Sequence, residues 1–61
     1  MNKIIEILID RDNLTEKEAI DILNNVRQQI SDINYGPIET EQIIMDELGL
    51  EMDYIMDILY D

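Results

Sequence analysis

Carboxylates dominate the reactive side chains of this chain. It has 15 Asp and Glu against 4 Lys and Arg, with no Cys and no His. Nucleophilic thiols, thiolate metal sites and the commonest ligand of structural zinc are therefore missing from the outset. A calcium loop is the first carboxylate chemistry to test, because Asp10-Arg11-Asp12 opens a window that closes at Asp21. Its fifth and sixth positions are Leu14 and Thr15, where a ligand and a glycine are required, so the pattern fails. A di-iron bundle needs Glu-x-x-His pairs and is excluded for want of His. Adjacent carboxylates such as Asp46 and Glu47 suit acid–base work in principle, yet a domain this small has little room for a substrate pocket. Gly36 and Gly49 are the only glycines, so there is no phosphate-cradling loop. The expectation is a non-enzyme without metal or cofactor.

What remains is the distribution of charge. From Asp32 to Asp61 there are nine acids and no Lys or Arg, so this half contributes −9 of the net −11. Residues 1–31 hold six acids and all four bases, a net of −2. Such self-repulsion weakens the compact state unless salt or a cationic partner relieves it. Direct binding to nucleic acid is excluded, since phosphate neutralisation needs clustered Lys and Arg, and an anionic membrane surface is disfavoured for the same reason. The acidic half has two readings. One is a solvated surface that keeps a small domain soluble. The other is a field for a cationic partner: Asp53, Asp57 and Asp61 follow i, i+4 spacing, which sets carboxylates about 6 Å apart on one helix face. Asp46, Glu47 and Glu51 extend it, and Tyr54 and Tyr60 add contact area of the type enriched in interface cores. These eight residues are the candidate partner-binding set. Ordered negative charge at that spacing suits the basic groove of a nucleic-acid-handling protein and would steer the encounter.

The elements that must position these residues read as all-α, three or four short helices in a small bundle. Sixty-one residues allow one domain, residues 1–61, with marginal burial. With no disulfide or metal available, oligomerisation is the remaining stabilising device, so a homodimer or larger assembly is expected. Residues 2–11 carry a helical stripe of Ile4, Ile5 and Leu8, although their β-branched content also suits a strand paired between two subunits. The apolar start is broken by Glu6 and Asp10 and lacks a small-residue cleavage site, so it reads as part of the fold and the chain as cytoplasmic. Nothing approaches transmembrane length. Thr15 and Glu18 form a capping box, with Leu14 and Ala19 in the staple positions. Ala19, Ile22, Leu23, Val26, Ile30 and Ile33 then recur at helical spacing.

Asn34-Tyr35-Gly36-Pro37 stops that helix, with Gly36 expected to supply the positive φ. A third helix is expected from Glu39 or Thr40 to Leu48, burying Ile43, Ile44 and Leu48 and ending at Gly49. The last helix, about Glu51 to Tyr60, has a stripe of Met52, Ile55, Met56 and Leu59 widened by Tyr54 and Ile58. Asp57 and Asp61 oppose the dipole at its end, so its final turn should fray. Met45, Met52 and Met56 share stripes with Ile and Leu, which places them in the core. One helix cannot bury so wide an apolar face in a monomer this small, which points to self-association or a partner helix.

Two stretches carry a family likeness. Leu14-Thr15-Glu16-Lys17-Glu18-Ala19 together with Asp46-Glu47-Leu48-Gly49-Leu50-Glu51-Met52-Asp53-Tyr54-Ile55 resembles the small acidic helical hypothetical proteins of Gram-positive bacteria and their phages. The resemblance covers about a third of the chain and brings no established activity. It implies a mobile-element setting, in which a small acidic protein binds and blocks a host protein. The sequence thus leads to a phage-type inhibitor that mimics nucleic acid, with a self-assembling structural or accessory protein as the alternative.

Overall fold

α2 (Glu16–Asp32) is the longest element, and its start is fixed by local chemistry. The Thr15 hydroxyl accepts a hydrogen bond from the Glu18 amide at 3.2 Å, and the Glu18 carboxylate accepts one from the Thr15 amide at 2.9 Å. Two of the orphan donors of the first turn are satisfied in this way. Ala19, Leu23, Val26 and Ile30 then bury one face, with Ile22 packed partly against the same core. The computed structural model describes residues 2–60, most of which are helical, with no strand among them.

The exit from α2 differs in detail from the sequence expectation. Gly36 has φ −56°, and the left-handed step is taken earlier, by Asn34 (φ 56°) and Tyr35 (φ 59°). The cause is hydrogen bonding: the Tyr35 amide must turn back to the Ile30 carbonyl, 3.1 Å away, to close the helix end. Gly36 then lies extended, at ψ 126°, as a residue before proline prefers, and serves as the N-cap of the next helix. With Pro37 at the first helical position, α3 (Pro37–Ile43) begins two residues before the expected Glu39.

α1 (Lys3–Asp12) is a helix rather than an intersubunit strand. The Asn2 side chain caps it by accepting from the Ile4 amide at 2.7 Å, Ile4 and Leu8 bury one turn apart, and Asn13 ends it at φ 56°. α3 continues as a π-helical turn (Ile44–Leu48) that closes on left-handed Gly49, φ 64°, the expected stop. Its buried side chains are Thr40, Ile44 and Leu48, with Ile43 half-buried. A stripe at strict four-residue spacing drifts around an ordinary α-helix, and the wider π turn offsets the drift so that Leu48 still faces inward. Leu50 bridges to a 3₁₀ turn (Met52–Tyr54) that runs into α4 (Ile55–Leu59).

α1 and α3 both pack on α2, and α4 touches α1 and α2, in a body of 29 × 19 × 18 Å. Ile58 is the side chain of the last helix that reaches full burial, while Met52, Tyr54, Ile55 and Leu59 pack half-buried around it. The wide apolar face is therefore mostly covered within one chain. Met56 (63% exposed) and Met45 (55%) do not join the core, contrary to the stripe reading. Both sit on the solvent side because the inward positions of their helices are taken by Ile58 and by Ile44 and Leu48. Among the described residues, no helix is long and apolar enough to cross a membrane.

Two features of this packing can be measured. The buried Thr40 hydroxyl has no hydrogen-bond partner. Replacing it with a methyl group of the same shape removes an unsatisfied polar atom, so Thr40→Val should raise unfolding free energy by about 1 kcal/mol in a urea titration. The Thr15 amide holds the Glu18 carboxylate below its ordinary value of 4.5. A carboxylate depressed in the folded state contributes stability above its unfolded value and loses it as pH falls through the folded one. The advantage of the native chain over Glu18→Gln at pH 7 should accordingly shrink as pH drops below 4.5.

Candidate partner-binding site

The acidic half has no cation of its own to cap its helix ends, and the first half supplies them. Arg11, in the last turn of α1, donates to the Leu48 carbonyl at 2.6 Å, at the end of the π turn. The same guanidinium grips Asp12 through two bonds of 2.9 Å. This pair raises the Arg11 pKa and lowers that of Asp12 below the usual carboxylate range. Arg27, on α2, donates to the Ile58 carbonyl at 2.6 Å, at the end of α4. The negative ends of both acidic helices are thus met by arginines from distant positions in the chain. Asn2 donates through its amide nitrogen to the Asp57 carbonyl at 2.7 Å, while its oxygen caps α1. Lys3 places its ammonium 5.6 Å from the centre of the Tyr54 ring, within cation–π range.

Docked in this way, the 3₁₀ turn and α4 form one wall of an open groove of about 520 Å³, lined by Lys3, Gly49, Leu50, Glu51, Asp53, Tyr54 and Asp57. Four of the eight candidate residues, Glu51, Asp53, Tyr54 and Asp57, therefore meet in one place. Asp46 and Glu47 are exposed on the π turn and do not line it; Asp46 accepts from Gln42 at 3.2 Å and Glu47 from Gln29 at 3.2 Å. Tyr60 is 63% exposed and also lies off the groove, and Asp61 falls outside the described residues. Asp53 and Asp57 do not sit on one regular α-helix, because the first belongs to the 3₁₀ turn and the second to α4. Sequence reasoning missed Lys3, which enters the groove from α1, and Leu50, which lines it from the link just before Glu51. It also missed Ile38, the most exposed large apolar side chain at 80%, whose signal was its place outside the Ile43–Ile44–Leu48 stripe.

Among the described residues the ion pairs are Arg11–Asp12 and Lys17–Asp21, both within the first half. No described acid between Asp32 and Tyr60 is in one. No group of three described carboxylates is arranged to hold a metal ion. No protein-family model, characterised protein or solved structure matches the chain.

Removing either arginine strips a charged partner from a helix-end carbonyl. A hydrogen bond to a charged group contributes about 2 kcal/mol, a large share of the stability of so small a domain. Arg27→Met, which keeps the apolar stem, should therefore lower the unfolding free energy by about that amount, measured by chemical denaturation. The loss should be smaller for Lys17→Met, whose salt bridge to Asp21 is exposed.

Proposed function

We propose that this chain is a non-enzymatic binding module whose acidic half engages a basic protein, in the manner of an inhibitor that occupies a nucleic-acid-binding groove. The observation that carries the reading is that no described acid of residues 32–60 forms an ion pair. Arg11 and Arg27 donate to backbone carbonyls of this half, and Lys3 stands over the Tyr54 ring. Asp46 and Glu47 are held by neutral glutamines, and Glu51 and Asp53 are exposed beside the groove. The negative charge of these acids attracts a partner's Lys and Arg over about a Debye length and sets orientation as well as rate. The likeness of residues 14–19 and 46–55 to small acidic proteins of Gram-positive bacteria and their phages supports a host protein as the target.

The test is capture from a bacterial lysate on immobilised chain at about 50 mM and about 500 mM salt, where screening lengths differ severalfold. The captured protein is then assayed for nucleic-acid binding with and without added chain. Capture should fall at least tenfold at high salt, and the chain should displace nucleic acid from its target. The Glu51→Gln/Asp53→Asn/Asp57→Asn variant should lose most of this activity. Capture indifferent to salt, or a target that binds nucleic acid undisturbed, would sink the reading.

A further inference from the structure

The groove uses only part of the exposed surface of the acidic half. α3 presents a second surface of a different kind. Ile38 and Met45, 80% and 55% exposed, lie seven residues apart and so two turns along one face. Gln42 lies between them and is turned aside onto Asp46. At the head of the helix stands Tyr35, 57% exposed and held at φ 59°, a backbone state that a bulky side chain adopts only at a cost. Glu39, Glu41 and Asp46 surround this apolar line, all exposed, and no Lys or Arg occurs anywhere on the element.

A second copy of the chain is a poor occupant. Two α3 faces set together would oppose like carboxylates. The bases of the copy are already engaged: Arg11 with Asp12 and the Leu48 carbonyl, Arg27 with the Ile58 carbonyl, Lys17 with Asp21, and Lys3 over Tyr54. An apolar line rimmed only by carboxylates is complementary to an amphipathic helix whose apolar anchors are flanked by Lys and Arg.

We infer that the outward face of α3 docks a basic amphipathic helix of another protein, with Ile38 and Met45 as the apolar anchors and Glu39, Glu41 and Asp46 as the charged rim. The inference rests on the proposed cationic partner and specifies which part of it is gripped. Pro37–Ile43 spans about 10 Å at 1.5 Å per residue and the π turn adds one more turn, which matches a partner segment of about three turns.

The probe is a 14-residue peptide of leucine and lysine with leucines at i, i+3, i+4 and i+7. Its controls are an all-lysine peptide of equal charge and the leucine–glutamate version, each titrated calorimetrically at about 150 mM and about 500 mM salt. The expected result is micromolar binding of the leucine–lysine peptide. Ile38→Ser/Met45→Ser should weaken it at least tenfold, while Met56→Ser leaves it unchanged and all-lysine binding is equal for the native chain and the double variant. Circular dichroism checks that the double variant stays folded, and single Ile38→Ser stands in if it does not. The inference is overturned if the leucine–lysine peptide fails to bind, if the anchor variants bind it like the native chain, or if sedimentation shows a dimer that Ile38→Ser dissociates. Binding that depends on Ile38 but ignores ionic strength would instead count against the electrostatic reading of the function.

Discussion

The fold depends on two arginines that cross from one half of the chain to the other. An α-helix ends in carbonyls that lack intrahelical donors and carry partial negative charge. In residues 32–61 every ionised side chain is also negative, so no local cationic side chain can meet those carbonyls. Arg11 meets the end of the π turn and Arg27 the end of α4, each at 2.6 Å. Because α4 is only five residues after a three-residue 3₁₀ turn, it is far too short to persist alone. The buried Ile58 side chain and the Arg27 bond to the carbonyl of the same residue hold it from two directions.

The same bonds account for the surface. The bases that reach this half meet backbone carbonyls and a ring, and no described carboxylate of α3 or the groove forms an ion pair with a described base. The apolar side chains follow a similar logic. Once Ile44, Leu48 and Ile58 occupy the interior, Ile38, Met45 and Met56 have no inward position left.

Much of the architecture was legible from local patterns. The Thr15–Glu18 capping box, the α2 stripe and the Gly49 stop depend on residues within a turn or two of one another, and each is where the spacing places it. The shorter helices were harder to read, because a stripe on a few residues does not say which of its edges turns inward. Ile58, read as the widening of the last stripe, is its buried centre, and Met56 is its exposed edge. Gly36 was the natural candidate for the left-handed position, yet Asn34 and Tyr35 take it because the register of the α2 carbonyls decides where the chain must turn. The groove was half legible. Its acids are neighbours in sequence, whereas Lys3 arrives only through the packing of α1 against α4.

The Asn2 amide gives the molecule a particular dynamic character. One side chain caps the first helix and holds the Asp57 carbonyl, so the earliest and latest described turns share a fastening. α4 is a five-residue helix that packs on both α1 and α2. Short elements held mainly by tertiary contacts belong to the low-stability end of a structure, so its detachment is expected to open the groove. The acidic groove is then a property of the fully closed state, and a ligand that binds there would draw its affinity partly from keeping the two ends of the chain together.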